Sequence, residues 1–271
     1  MVKHLARITP NLANIKPLLC KKDMDYFLGI IGYERSGKSN LAQAIAKSYI
    51  ECPPHHHHKA PAIPLKFDKN HYAFSAEQLS EKVYTLPRGS PVIIDEGATT
   101  LFTMDAITPE GREATKLITV MGERNLFVII CVPDFFLLTP YIRNHRLKSL
   151  CRVVSRGRAA VYSKPTMRKI EKNKSGRVRY PAPTFVDSWQ EQKGQLWNEY
   201  EKMKADYLRR RVRKQDKILG IKAVSEITGF STSTIYDYCN RGLIPYMEIL
   251  GRKKFRESDI AQLLIEHKSK V

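Results

Sequence analysis

"GIIGYERSGKSNLAQAIA", residues 29–46, sets Gly32, four further residues, and then Gly37, Lys38 and Ser39 in a row. This is the spacing of a phosphate-binding loop. Glycines let the chain turn successive N–H groups inward around phosphates, Lys38 reaches the β and γ oxygens, and the Ser39 hydroxyl holds Mg²⁺. Contacts to ATP are expected from Gly32, Arg35, Ser36, Gly37, Lys38, Ser39 and Asn40. The flanks agree. "YFLGII" before the loop is an apolar run of buried-strand type, and "SNLAQAIAKSYI" after it has helical period, with Leu41, Ile45 and Tyr49 on one face.

A second acidic element belongs with the loop. In "SPVIIDEGATTLF", Val92, Ile93 and Ile94 form a β-branched run that Pro91 opens, and Asp95 and Glu96 stand at its end. Strand ends on the loop side of a parallel sheet face the nucleotide, so Asp95 is expected to reach Mg²⁺ through water and Glu96 to act as the base on the attacking water. A helix is expected from Thr108 and Pro109 to "MGERN". "LFVIICVPD" is a further buried strand. Asp134 at its tip either senses the γ-phosphate or simply turns the chain after Pro133. "PLKFD" offers a short strand, "FFLLTPYIRNHRLK" a helix, and "LCRVVS" and "AAVYS" two more strands. The alternation predicts an α/β fold: a P-loop parallel sheet with helices on both faces.

The 271 residues suffice for one large domain and a small second one, and the formal net charge is +19. Residues 151–217 concentrate that charge, with 19 Lys/Arg against 7 Asp/Glu. Such clustering is the electrostatic footprint of a nucleic-acid binder, because neutralised phosphates release condensed counterions. Residues 159–181 read as a basic hairpin turning near Gly176. The following segment reads as a linker helix with Trp189, Leu196, Tyr200 and Tyr207 as its apolar stripe. Arg209, Arg210, Arg211 and Arg213 at its far end are read as a grip on the DNA backbone. Five cysteines without a C-x-x-C pair suit reduced thiols, and no run is apolar enough to span a membrane, so a cytoplasmic location is expected. Cys52 and the His55–His58 run are a crowded set, not the spaced ligands of a structural zinc site.

The last module has its own pattern. Val224 and Ile227 are expected inward on a short helix that ends at Gly229. Ser231 caps a second helix whose Ile235 and Tyr238 or Cys239 face the core, and a strand, a basic turn at residues 251–254 and another strand make a wing. "GFSTSTIY", "RGLIP" and "GRKKFRESD" closely resemble the winged helix-turn-helix of the MerR and phage excisionase families. The resemblance implies double-stranded DNA as partner. Thr232, Ser233 and Tyr236 would face the major groove, Arg252, Lys253 and Lys254 would lie on phosphates or in the minor groove, and Arg241 is expected among the DNA-binding residues.

More loosely, "GYERSGKS", "VIIDEG", "ERNLFVIICVPD" and "TPYIR" resemble the P-loop ATPases of the FtsK/HerA group, which includes zonular-occludens-toxin-like and viral packaging ATPases. That resemblance implies an extra strand between the loop strand and the acidic strand. It also implies a homo-oligomer, a hexameric ring among its forms, in which Arg124 acts on a neighbour's nucleotide with Arg143 and Arg146 as runners-up. Asp134 departs from the group's usual Gln or Asn. The expected organisation is an N-terminal segment 1–24, an ATPase domain 25–163, a basic hairpin and linker 164–217, and a winged helix-turn-helix 218–271. The expected function is a DNA-dependent motor ATPase serving virus- or plasmid-type packaging, transfer or replication. Its rival is an ATP-gated DNA-binding regulator or partition factor.

Overall fold

The computed structural model describes residues 5–21, 24–52, 66–95, 116–117, 120–215, 217–249 and 251–268. The chain divides into two compact units, Met1–Met203 and Lys204–Val271.

The first unit is built on a seven-stranded sheet. Its strands in chain order are β1 (Tyr26–Ile31), β2 (Tyr72–Ala73), β3 (Pro91–Ile94), β4 (Phe127–Val132), β5 (Leu147–Ser155), β6 (Arg158–Ser163) and, beyond the small hairpin β7 (Glu171–Lys172) and β8 (Val178–Arg179), β9 (Phe185–Ser188). The spatial order is β2-β3-β4-β1-β5-β6-β9. The first five are mutually parallel, and β6 and β9 add antiparallel at one edge. Strand β4 lies between β1 and β3, the extra strand that the FtsK/HerA resemblance implies. The centre of the sheet is apolar on both faces, with β3 and β4 buried at every position, as parallel strands covered by helices require.

Helices α1 (Ile8–Lys21), α2 (Lys38–Glu51) and α3 (Ala76–Thr85) pack with this sheet. Leu41, Ile45 and Tyr49 of α2 are all buried, as their spacing predicted. Helix α1 is held by distant polar groups. The Asp187 carboxylate accepts from the Arg7 and Ile8 amides at 2.9 and 2.8 Å, and Asn125 donates to the Leu19 carbonyl at 2.8 Å. In return Lys16 donates to the Ile50 and Cys52 carbonyls, at 2.8 and 2.6 Å, at the end of α2.

Three sequence expectations need correction here. The second strand is Tyr72–Ala73. Residues 66–68 carry no strand, because Asp68 instead caps a tight turn, Lys69–His71. The segment from Phe135 is a short turn (Phe135–Leu137) and a wide turn (Ile142–Arg146), not one continuous helix. Trp189 lies ahead of the linker helix α4 (Gln195–Gln215) rather than on it. The start of the helix expected at Thr108 lies outside the described residues. Its end is seen at 120–123, where Asn125 with φ +52° turns the chain.

The second unit holds the end of α4 and a small domain with a three-stranded sheet, β10 (Ile218–Gly220), β11 (Met247–Ile249) and β12 (Arg252–Arg256), in the order β10-β12-β11. Helices α5 (Ile221–Thr228), α6 (Thr232–Asn240) and α7 (Glu257–Lys268) complete it. Leu219, Val224, Ile235, Cys239, Ile244, Phe255 and Ile260 form its core. Ile227, expected inward, is exposed, since only Val224 of that short helix is buried.

Candidate functional site

The loop from β1 to α2 is shaped by positive backbone angles at Gly32 (φ +155°), Arg35 (φ +57°) and Gly37 (φ +102°). A Cβ on Gly32 would stand 2.9 Å from Ser36 Oγ and 3.0 Å from Val153 Cβ, so angle and space both demand glycine there. Helix α2 begins at Lys38, and the amides of its first turn have no acceptor within the helix. Those amides and the positive end of the helix dipole make an anion site. Lys38 is 4% exposed, and its ammonium donates to the Gly32 and Tyr33 carbonyls, both at 2.9 Å. The cation is thus held over the loop.

Asp95 follows β3 and is 1% exposed. Its two carboxylate oxygens lie 3.3 and 3.4 Å from the Ser39 hydroxyl. The loop serine and the acid of a strand two places away in the sheet therefore meet. A hydroxyl beside a carboxylate is an all-oxygen donor set that suits a hard cation, so Ser39 and Asp95 are the residues that would hold Mg²⁺. Glu96 lies outside the described residues, as do His55–His58.

Sequence reasoning missed what covers this site. The Tyr200 phenol, on the first turns of α4, donates to Asp95 Oδ2. Burial, and then the Asp95 charge, push that phenol well above its ordinary pKa, so it enters the pair as donor. Its ring packs against Tyr72, Phe74 and Trp197, with centroids 4.9, 5.7 and 4.8 Å away. Upstream, Asn40 Oδ1 accepts from Trp189 Nε1 at 3.1 Å and from the Gln192 amide at 2.9 Å, and Asn40 Nδ2 donates to the Gln192 carbonyl at 3.1 Å. The Trp189 ring edge would be 3.3 Å from a Cβ on Gly37. Asn40, expected to touch nucleotide, here ties α2 to this segment. No local signal marks the bonds to Asp95 and Asn40, because they join residues more than a hundred positions apart.

Asp134 caps the turn that follows it, its Oδ1 accepting from the Phe136 amide at 2.7 Å. It also lines a cavity of about 430 Å³ beside the loop, with Gly32, Tyr33, Arg152, Arg177 and Tyr180.

Arg124 stands three residues before β4, at the edge of the sheet opposite the loop. There its Nη2 donates to the Leu86 and Tyr84 carbonyls at 2.6 and 3.3 Å, closing the end of α3. The runners-up are also engaged: Arg146 pairs with Asp25 and covers the Phe27 ring, and Arg143 lies 4.8 Å over the Phe136 ring. Arg124→Ala is expected to destabilise the first unit by roughly 1–3 kcal/mol, the cost of two lost charge-assisted bonds. Urea unfolding measures this, and an unchanged midpoint would show the capping to be idle.

In the second unit, Ser231 caps α6 by accepting from the Thr234 amide at 3.1 Å. Thr232, Ser233, Tyr236, Arg241 and Arg252 are exposed. Lys254 is half-buried. Lys253 is engaged inside the module: its ammonium donates to Asn240 Oδ1 at 2.7 Å and lies 4.0 Å over the Tyr246 ring, bracing the wing against α6. On α4, Arg209 and Arg210 are exposed, Arg209 lying 3.7 Å from Asp206. The side chains of Arg211 and Arg213 lie outside the described residues.

Among the described residues, no helix is long and apolar enough to cross a membrane. No curated protein matches this chain in sequence. Solved structures similar to it include the N-terminal domain of zonular occludens toxin from Neisseria meningitidis, at 14% identity and a TM-score of 0.36 over 63% of this chain and 96% of that one. Another is the genome packaging NTPase B204 from Sulfolobus turreted icosahedral virus 2 in complex with AMPPCP, at 14% identity and a TM-score of 0.33 over 62% and 98%. The same NTPase with ATP-gammaS matches at 15% identity and a TM-score of 0.32 over 59% and 98%. Residues 218–268 match the family described as "Helix-turn-helix domain".

Proposed function

We propose that this chain is an ATP-hydrolysing DNA-binding protein whose α/β unit works as a DNA-dependent motor on double-stranded DNA and whose C-terminal module selects or orients the site. The carrying observation is the meeting of Ser39 with buried Asp95 beside a glycine-shaped loop, in the same chain as a helix-turn-helix with an exposed α6. Loop amides and Lys38 bind the β and γ phosphates, Asp95 accepts hydrogen bonds from metal-bound water, and Glu96 takes the proton of the attacking water. Mg²⁺ bound at Ser39 would neutralise charge developing on the phosphates. Arg124 is assigned to a neighbouring subunit's nucleotide in a homo-oligomer. Its half-buried position at the sheet edge away from its own loop is compatible with that role only if the side chain leaves its capping bonds.

Steady-state ATP hydrolysis with and without duplex DNA, at several salt concentrations, tests the reading. Stimulation of at least about tenfold is expected, a usual size for coupling between sites. It should fall steeply as salt rises, because the 151–217 region binds through backbone charge. Slow turnover unaffected by DNA would instead favour the ATP-gated regulator, and absence of any nucleotide binding would remove both readings.

A further inference from the structure

Residues 189–200 form a strap from the helix after the P-loop to the acid at the end of β3. At one end Trp189 and Gln192 hold Asn40; at the other Tyr200 holds Asp95. A buried carboxylate needs firm donors, and the Ser39 hydroxyl, at 3.3 and 3.4 Å, is distant for an O–H···O bond. The phenol supplies the firmer hold. A carboxylate has about four acceptor positions, so a bond to Tyr200 orients Asp95 and leaves room for metal-bound water.

The geometry points to Tyr200 as a positioning residue for the magnesium–nucleotide complex, acting through Asp95. This rests on the P-loop reading and adds to it a residue from outside the nucleotide motifs. The phenol fixes the plane of the carboxylate beside Ser39, and the Tyr72, Phe74 and Trp197 rings keep the phenol in place.

The test measures binding of a fluorescent ATP analogue to the full chain, with and without magnesium. Tyr200→Phe keeps the ring and removes the donor. Its magnesium-free affinity should match the unaltered protein, while the tightening caused by magnesium should shrink about tenfold, the size of one charge-assisted hydrogen bond. Asp95→Asn should also weaken magnesium-dependent binding, and the double variant should be no weaker than Asp95→Asn alone, because Tyr200 acts through Asp95. Unchanged magnesium dependence in Tyr200→Phe, or additive losses in the double variant, would overturn the inference. If the unaltered protein bound no nucleotide at all, the P-loop reading itself would fail, a result separable from either of these. Intrinsic fluorescence gives a second measure needing no variant. The Trp197 ring is 4.8 Å from Tyr200, so adding magnesium to the nucleotide-bound chain should shift tryptophan emission, and a silent signal counts against the inference.

Discussion

Lys38→Ala is expected to weaken ATP binding by at least about a hundredfold, since a buried ammonium makes several charge-assisted bonds to phosphate and each hundredfold is about 2.7 kcal/mol. The fold should survive. The side chain's described hydrogen bonds are to two carbonyls of its own loop, and α2 remains anchored by Leu41, Ile45 and Tyr49. Thermal unfolding separates the two effects. The unliganded midpoint should move little, while the rise that Mg-ATP gives the unaltered protein should vanish. A persistent rise would show that the nucleotide sits elsewhere.

Phe255→Ala should unfold the C-terminal module. Phe255 is fully buried in the core of that module, and truncating such a ring costs about 3–5 kcal/mol. A domain of this size has about that much stability in total. Limited proteolysis should then cut within the module and leave a resistant fragment corresponding to the first unit, still able to bind ATP. Sequence-selective DNA binding should disappear, while salt-sensitive, unselective binding through the 151–217 region remains. A module that resisted proteolysis as before would mean that its core tolerates the cavity.

The parts legible in the sequence are those carried by local signals. The loop needs glycine at fixed offsets, β3 and β4 are continuous apolar runs rich in Val and Ile, and Ser231 announces a helix start. These depend on residues within a few positions of one another. The two-residue strand at Tyr72 is too short to show a period, and the single turns of Ile221–Thr228 leave Ile227 on either face. The remaining features are long-range polar bonds. Asp187 capping α1, Arg124 closing α3 and Tyr200 holding Asp95 each join segments whose proximity only the folded sheet creates. Tyr200 read as one apolar residue of a helix stripe; its hydroxyl carries the information that the stripe conceals.

Duplex DNA would present this basic chain with a far denser supply of phosphate than free nucleotide does. Lys38, 4% exposed and chelated by the Gly32 and Tyr33 carbonyls, is withheld from that supply. A terminal triphosphate can enter the loop end-on and displace the carbonyls one bond at a time. A phosphodiester, flanked by sugars on both sides, has no free end to insert. On the proposed reading the loop would act as a steric filter, and duplex DNA held elsewhere on the protein would not compete for the nucleotide site.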